Sequence, residues 1–437
     1  MGLFASSEGN GIPRRPMIVS VLDIGSTKVC CVVARLTPAA PGEALRGRTH
    51  TIEVLGIGHQ RSRGIKSGIV ANLDMAEQAV RATVDAAEKK AGVTVESLIL
   101  NLSAGRLASE TTSATVDLSA EPVAEKDISR VLAAGRRHSA SAGRTVIHSL
   151  PTAYAMDGEG GVADPRGMVG HHLGVSMHIV TADQPPLRNL ELAVNRCHLS
   201  VEALVASPYA SGLSVLVDDE AELGCAVVDF GGGTTTIAVF NRGELVHVDA
   251  IAVGGQHITT DIARGLSTRI EDAERIKTMY GSALPGVSDE RDVLSVATIG
   301  DDEHSGPTQI PRAALTRIIR PRVEEILELV RDRLNASGFA HLFGRRLILT
   351  GGGSQLNGIA EAARRILARN VRLGRPLGIA GMPEVAKGPA FATAVGLLIY
   401  PQVAEMDQID DRDVPMAMNG TNGGFVRRVA GWFRESF

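Results

Sequence analysis

Two short segments of the chain combine an acid, glycines and hydroxyl side chains directly after an apolar run. Glycine lets the backbone approach an anion closely, so the N–H groups of such turns can point at phosphate oxygens. An apolar or β-branched run resumes after each segment, which predicts two hairpins. The residues are Asp23, Gly25, Ser26, Thr27 and Lys28 in the first segment, and Asp229, Gly231, Gly232, Gly233, Thr234 and Thr235 in the second.

A third glycine turn follows the strand-like residues 346–349 and opens a predicted helix; it contains Gly351, Gly352, Gly353 and Ser354. Any one of these turns is also typical of an ordinary hairpin with no ligand. All three occur in order, each after an apolar strand. Together they predict a nucleotide clamped between two paired domains.

The order of these loops resembles the superfamily of actin, sugar kinases and heat-shock chaperone ATPases. The resemblance implies an α/β actin-like two-domain fold, a duplicated mixed sheet with helices and a nucleotide in the interdomain cleft. It also implies that the hairpins hold the β- and γ-phosphates from opposite sides and that the glycine turn backs the adenosine. Glu274 and Lys277, on a helix predicted from about residue 255 to 277, would contact the ribose; a surface ion pair is the alternative.

Composition describes an ordinary globular protein. The chain has 437 residues, enough for two or more cores, with 44% apolar residues and a formal net charge of −4. No basic face indicates nucleic acid binding. The four cysteines form no CxxC pair and are predicted to be reduced core residues.

The pattern along the chain divides it into seven segments. Residues 103–179 alternate apolar and polar positions around one short helix, which predicts a small inserted α+β subdomain. The predicted segments are a disordered tail (1–16), a first actin-like domain (17–102 and 180–224), the insertion (103–179), a second actin-like domain (225–255 and 341–400), its smaller subdomain (256–340), a flexible acidic linker (401–423) and a terminal amphipathic helix (424–437).

The terminal segment places its apolar residues on one helical arc and its arginines opposite. An interfacial helix needs aromatic anchors and cations for anionic lipid headgroups. We therefore predict binding to an anionic membrane surface; docking onto the core or onto a partner protein are the alternatives. The apolar arc includes Phe425, Val426, Val429, Trp432 and Phe433, and the arginines are Arg427, Arg428 and Arg434.

With this tail, residues 17–437 resemble the bacterial cell-division FtsA family, the actin-like membrane tethers of the FtsZ ring. The matching segments are 23–28, 148–157 in the insertion, 228–234, 273–277, 349–353, 394–398 and the terminal helix. The resemblance implies ATP and Mg²⁺ binding, protofilaments, and a location at the division site on the cytoplasmic side of the cell membrane. It further implies that FtsZ's C-terminal peptide binds within residues 256–340 and that later division proteins contact the insertion.

One departure from the superfamily bears on catalysis. Members that hydrolyse ATP well carry Glu or Gln near the start of the helix before the second hairpin, where it positions the attacking water. Residues 206–212 contain neither. We therefore expect slow hydrolysis, with Asp23 and Asp229 holding Mg²⁺ largely through its retained waters.

Two rival functions share the phosphate loops. A sugar or acetate kinase needs a catalytic carboxylate beside a substrate hydroxyl and has no use for a tethered membrane helix. A pilus-assembly ATPase with the same inserted subdomain would bind a partner's N-terminal peptide and normally lacks the terminal helix.

Overall fold

The computed structural model describes residues 16–40, 48–103, 106–119, 121–136, 141–299, 307–404 and 407. The predicted N-terminal tail up to residue 15, most of the acidic linker and the whole terminal helix lie outside these residues.

The strands of the described residues are, in chain order, β1 (Met17–Ile24), β2 (Lys28–Pro38), β3 (His50–Arg61), β4 (Ile65–Lys66), β5 (Ile69–Val70), β6 (Ser97–Leu102), β7 (Ala108–Asp117), β8 (Arg144–Met156), β9 (Glu159–Val162), β10 (His172–Asp183), β11 (Ser200–Ala206), β12 (Cys225–Phe230), β13 (Thr235–Asn241), β14 (Glu244–Ile251), β15 (Val293–Val296), β16 (Thr308–Pro311), β17 (Arg346–Thr350), β18 (Asn370–Leu373) and β19 (Ile379–Ala380).

The α-helices are α1 (Leu73–Ala91), α2 (Glu125–Gly135), α3 (Gln184–Asn195), α4 (Ser207–Val215), α5 (Asp218–Leu223), α6 (Gly255–Gly265), α7 (Ile270–Tyr280), α8 (Arg312–Ala336), α9 (Ile359–Leu367) and α10 (Ala392–Ile399). Short 3₁₀ helices follow at Gly352–Gln355, Glu384–Ala386, Pro389–Phe391 and Tyr400–Gln402. None of the helices in the described ranges is both long and apolar enough to cross a membrane.

The two halves of the chain build the same kind of sheet. The first sheet has the order β11-β6-β1-β2-β3-β19, and the second has the order β14-β13-β12-β17-β18. In each, an antiparallel hairpin (β1–β2 or β12–β13) is extended by a third antiparallel strand, while a strand parallel to its first member (β6 or β17) lies on the other side. The duplication inferred from the two glycine hairpins is therefore a duplication of mixed sheets.

Helix α1 covers the first sheet, and local sequence sets both of its ends. The Asn72 side chain accepts a hydrogen bond from the Met75 N–H, which satisfies one of the free donors of the first turn. Gly92 ends the helix at φ 68°, a conformation that glycine adopts without a Cβ penalty. Ala76, Val80, Val84 and Ala87 recur at helical spacing and form its buried stripe.

The inserted segment forms a separate antiparallel sheet, β7-β10-β8-β9, with α2 packed against it. Val131, Leu173 and Met177 belong to its own apolar core. Its two long strands also enter the first half, because Ile147 of β8 and Val180 of β10 belong to the large core there. The insertion is thus attached through continuous strands.

The prediction of one helix from about residue 255 to 277 is wrong, since α6 and α7 are separate helices. Ser267 between them has φ 48°, outside the helical range. Thr268 donates its N–H to the Ala263 carbonyl at 2.9 Å and its hydroxyl to the Ala297 carbonyl at 2.6 Å. The apolar spacing continues across this break, so periodicity alone did not reveal it.

A proline within a helical pattern predicts a break or a kink at Pro321. The helix is not broken there, since α8 begins at Arg312 and continues past Pro321 to Ala336. Proline removes one helical N–H donor. Buried residues beyond it, including Val323 and Ile326, pack the continuing helix into the second core.

The first residues of the predicted linker are not solvated. Pro401 and Ala404 are buried, and Asp407 is only 8% exposed. The Asp407 carboxylate accepts hydrogen bonds from the Tyr400 hydroxyl (3.0 Å) and the Ser149 N–H (2.8 Å), and it also pairs with His148. A buried carboxylate needs such partners, and the acidic composition of the segment concealed this one.

Candidate nucleotide-binding cleft

The two hairpin turns have equivalent geometry. The Gly25 N–H donates to the Lys28 carbonyl at 2.9 Å, and the Gly231 N–H donates to the Thr234 carbonyl at 3.0 Å. In β1–β2, Asp23 lies opposite Cys30, and in β12–β13, Asp229 lies opposite Thr236, in each case seven positions later (30 − 23 and 236 − 229). Each half of the chain therefore places one acid and one glycine turn at the same point of its sheet.

The two turns approach each other closely at two glycines of the second hairpin. A Cβ on Gly232 would lie 2.4 Å from Thr27 Cγ2, and one on Gly233 would lie 2.3 Å from Ser26 Oγ. Both distances are far below ordinary van der Waals contact. The glycines of the second hairpin thus let the two halves meet across the cleft.

Gln256, at the start of α6, bridges the two turns. Its N–H donates to the Gly232 carbonyl at 2.7 Å, and its side-chain amide donates to the Ser26 carbonyl at 3.1 Å. The preceding Gly255 N–H donates to the Gly231 carbonyl at 3.0 Å. The sequence analysis missed Gln256, although its position after the glycine pair 254–255 was a signal.

A cavity of about 710 Å³, including its open mouth, lies where the three glycine loops meet. Twelve predicted residues line it: Asp23, Gly25, Ser26, Thr27, Lys28, Asp229, Gly231, Gly232, Gly233, Thr234, Gly351 and Gly352. Seven other lining residues were not among the predicted site residues: Asn101, Ser103, Ser207, Thr236, Pro389, Ala390 and Thr393.

Three predicted site residues shape the turns from outside the cavity lining. Thr235 donates its hydroxyl to the Val253 carbonyl at 2.8 Å, and Ser354 donates its hydroxyl to the Gly351 carbonyl at 2.7 Å. Gly353 lies against Phe230, whose ring atoms a Cβ would approach to 2.8 Å. Direct contact of these residues with a nucleotide stays a prediction.

Glu274 and Lys277 are also outside the lining. The Lys277 ammonium donates to the Gly255 carbonyl (3.1 Å), the Thr259 hydroxyl (2.7 Å) and the Glu274 carboxylate (2.7 Å). This pair ties α7 to the start of α6, and α6 in turn holds the second phosphate turn. Its predicted contact with a ribose remains a prediction.

Two acids face the cavity from opposite halves. Burial raises the pKa of Asp23 to about 6, against the lowering effect of Lys28 and with a further rise caused by Asp229. Burial also raises the pKa of Asp229, which hydrogen bonds from Ser211 and Thr393 oppose. Because ionisation of a buried carboxyl group is costly, a nearby cation stabilises its charged form.

The Lys28 side chain is bonded to one wall of the cleft. The Lys28 ammonium donates to the Ala390 carbonyl at 2.6 Å and lies 3.4 Å from the centre of the Phe391 ring. Both contacts suit a cation. Lys28 is thus held at the wall formed by residues 389–391, close enough to the cavity to line it.

The donor set fits Mg²⁺ held jointly with phosphates. In the described part of the chain, no group of three or more His, Cys, Asp or Glu side chains is placed to hold a metal ion. Asp23 and Asp229 supply two hard oxygen donors. Mg²⁺ commonly binds through one or two carboxylates, retained waters and phosphate oxygens.

Asn101 links the first hairpin to the helix before the second. Its side-chain oxygen accepts the Ile24 N–H at 2.7 Å, and its amide nitrogen donates to the Ser207 hydroxyl at 3.1 Å. Ser207 begins α4, the helix whose first residues contain neither Glu nor Gln. The amide of Asn101 reaches this place from β6, but both of its ends are engaged in these bonds.

The whole chain matches known cell division proteins. The chain is 57% identical over 444 residues to the cell division protein FtsA of Rhizobium meliloti (strain 1021), covering all of both chains. It is 32% identical to the FtsA protein of Escherichia coli (strain K12), covering 97% of this chain and 99% of that one. The chain belongs to the FtsA family of cell division proteins. Family models for "Cell division protein FtsA" and for "SHS2 domain inserted in FTSA" match residues 226–396 and 104–181.

Solved structures confirm the predicted actin-like fold, and the family model for the inserted domain confirms the insertion. The PilM–PilN type IV pilus biogenesis complex aligns with a TM-score of 0.59 at 18% identity, covering 88% of this chain and 98% of that one. MreB5 of Spiroplasma citri bound to ADP aligns with a TM-score of 0.51 at 14% identity, covering 90% and 98%. At these identities the likeness concerns the fold. The predicted domain boundaries stay predictions.

Proposed function

We propose that this FtsA-family chain is an actin-like ATP-binding protein that polymerises on the cytoplasmic side of the cell membrane, tethers FtsZ filaments to it and helps recruit later division proteins to the septum. The observation that carries the proposal is the pair of equivalent glycine turns that meet across one cavity. Structures of MreB5, which has the same fold, are titled as bound to ADP and to AMPPNP.

Each group in the cleft has a role that its geometry supports. The turns at residues 25–28 and 231–234 would hold the β- and γ-phosphates from the two halves, and the turn at 351–352 would lie behind the adenosine. Asp23 and Asp229 would hold Mg²⁺, largely through its waters. Lys28, now bonded to Ala390, would add positive charge beside the phosphates.

Hydrolysis in this cleft should be slow. Ser207 and Ser211 of α4 face the cavity or its acids, and neither can act as a carboxylate base. The Asn101 amide is fixed by Ile24 and Ser207. Water attacking a phosphoryl group is usually oriented by a free Gln or an acid. The nucleotide would then act mainly by stabilising one arrangement of the two halves.

Membrane attachment rests on the terminal helix, which lies outside the described residues. Its apolar arc and three arginines suit an anionic lipid surface. Self-association into protofilaments would make the attachment multivalent, so one weak helix per subunit could suffice. FtsZ's C-terminal peptide would bind within residues 256–340, and later division proteins would bind the inserted subdomain.

The pilus-assembly reading shares the fold, as the PilM–PilN structure illustrates. A sugar or acetate kinase would share the phosphate loops but would also need a catalytic carboxylate beside a substrate hydroxyl. Both are disfavoured by the full-length identity to cell division proteins. A sugar-dependent release of ADP from ATP would favour a kinase.

The test is flotation of FtsZ with anionic liposomes in the presence of the full chain, ATP and Mg²⁺. We expect FtsZ to float only when the chain is present and to stay at the bottom when FtsZ lacks its C-terminal peptide. A truncation of the chain before residue 424 is the matched control and should leave both proteins at the bottom. Equal FtsZ flotation with and without the chain would contradict the proposal.

A further inference from the structure

The C-terminal segment leaves the described structure from a buried polar cluster. The cluster, named here the tail-root cluster, consists of His148, Ser149, Tyr209, Tyr400 and Asp407. His148 and Tyr400 are 0% and 1% exposed, although each carries polar atoms. Its members come from β8, from α4 and from the residues that follow α10. The cluster therefore joins the root of the tail to two other parts of the fold.

The hydrogen bonds fix the proton positions in this cluster. The Ala206 N–H can only donate, and it lies 3.0 Å from His148 Nε2, so Nε2 is the acceptor. The imidazole proton is then on Nδ1, which donates to the Asp407 carboxylate. The Ser149 N–H and the Tyr400 hydroxyl complete the bonds to Asp407. A buried carboxylate with three donors is a strong anchor.

The Nε2 atom of His148 is connected to the nucleotide cleft through α4. Ala206 directly precedes α4, whose first residue, Ser207, lines the cavity. One turn later, Ser211 donates to the Asp229 carboxylate. Tyr209, on the same helix, packs edge-on against His148, with ring centres 5.2 Å apart. The position of α4 in the cleft is thus set from the tail-root cluster.

A second connection runs through α10. Tyr400 follows this helix directly, and Thr393 at its start donates to Asp229 at 3.1 Å. A Cβ on Gly396 would lie 1.7 Å from the Ala210 carbonyl oxygen, so the backbones of α10 and α4 are in contact. Such closely packed helices move together. Helix α10 bonds Asp229 near its start and joins the tail-root cluster at its end, and α4 meets the cluster at its start and bonds Asp229 one turn later.

We propose that Asp407 is a positioning residue that couples the root of the C-terminal segment to the nucleotide cleft. Through His148 it holds the start of α4, and through Tyr400 it holds the end of α10. Removal of this anchor weakens nucleotide binding, and nucleotide binding in turn holds the tail root in place, because coupling between two sites is reciprocal. The inference rests on the proposed nucleotide site and adds a link from that site to the membrane-directed segment.

The first experiment uses the unaltered full chain. Hydrogen–deuterium exchange is followed with and without ATP and Mg²⁺ in peptides that cover residues 206–214 and 400–407. We expect nucleotide to slow exchange in both segments, with peptides at the outer edge of the inserted sheet, 159–162, as the control. Bound ATP with unchanged exchange at 400–407 would overturn the coupling. Absence of ATP binding by the unaltered chain would refute the proposed function and the coupling together.

The second experiment compares Asp407→Asn with Asp410→Asn, which removes the same charge three residues later. Asparagine keeps the size of Asp407 but sets an NH₂ group against N–H and O–H donors. We expect the ATP dissociation constant to rise about tenfold in Asp407→Asn, within the usual range of coupling between sites, and to be unchanged in Asp410→Asn. Tyr400→Phe should act in the same direction and less strongly, because it removes one of the three bonds.

A double-variant cycle tests the route through His148. The amide of Gln reaches the Nε2 position and can still accept the Ala206 N–H, but it cannot also reach Asp407. In the His148→Gln background, Asp407→Asn should therefore have much less effect on ATP affinity than in the unaltered chain. Equal effects in both backgrounds would contradict the relay through His148. Equal ATP affinity in Asp407→Asn and Asp410→Asn would contradict the coupling itself.

Discussion

Replacement of Gly232 by valine tests whether the meeting of the two turns is needed for nucleotide binding. A Cβ at this position would lie 2.4 Å from Thr27 Cγ2, whereas ordinary contact begins at 3.4 Å. The contact is relieved by turning of the Thr27 side chain or by separation of the hairpins by about 1 Å, and overpacking of this kind costs roughly 1–3 kcal/mol. When the hairpins separate, a phosphate that spans both turns at a hydrogen-bond distance of about 2.9 Å lies near 3.9 Å from one of them, beyond bonding range.

Loss of a single charge-assisted hydrogen bond costs about 1.5–3 kcal/mol, and every 1.4 kcal/mol is about tenfold in affinity. We therefore expect Gly232→Val to weaken ATP binding at least tenfold. The assay is titration of a fluorescent ATP analogue, with circular dichroism to verify folding. Gly160→Val in β9 is the matched control, since a Cβ there meets no atom within 4 Å. A folded Gly232→Val protein with unchanged affinity would refute the assignment of the cleft.

Three further outcomes are expected. Trp432→Glu should release the chain from anionic liposomes in co-sedimentation, because burial of this ring contributes about 1.5–3 kcal/mol. Gly431→Glu adds the same charge off the apolar arc and should release a smaller fraction of the chain. Gly396→Ala should lower the melting temperature by several degrees through its 1.7 Å clash with the Ala210 carbonyl oxygen, and an unchanged melting curve would contradict the close contact of α4 and α10. Burial raises the pKa of Glu244 from 4.5 to about 8, so the stability that its neutral form contributes is full below pH 4.5 and is lost as the pH rises through 8. Between pH 4.5 and 8, Glu244→Gln should therefore gain stability relative to the unaltered chain, by at most about 5 kcal/mol. A melting-temperature difference between the two proteins that does not depend on pH would contradict this.

The loops of the cleft could be predicted because their chemistry is local. A glycine turn after an apolar strand leaves its mark within a few residues, as at Gly25 and Gly231. Helix α1 was predictable for the same reason, since Asn72 and Gly92 cap a regular apolar stripe. The resemblance to the FtsA family then supplied the order of the domains.

The rest of the cleft depends on contacts between distant parts of the chain. Asn101 binds Ser207 across 106 positions, and Gln256 binds Ser26 across 230. Neither residue carries a local motif, so only the folded backbone reveals its place. Asp407 was misread for a similar reason, because its partners His148 and Ser149 lie more than 250 residues earlier. The acidic composition of the segment predicts a solvent-exposed linker, whereas tertiary contacts bury the Asp407 side chain.

The central claim is that one ATP lies between the two hairpin turns. The most direct measurement is a crystal structure of the full chain with a non-hydrolysable ATP analogue and Mg²⁺. The account predicts phosphate density between residues 25–28 and 231–234, a Mg²⁺ ion near Asp23 and Asp229, and the adenosine against residues 351–352. A nucleotide bound elsewhere, or no nucleotide at millimolar analogue, would contradict it.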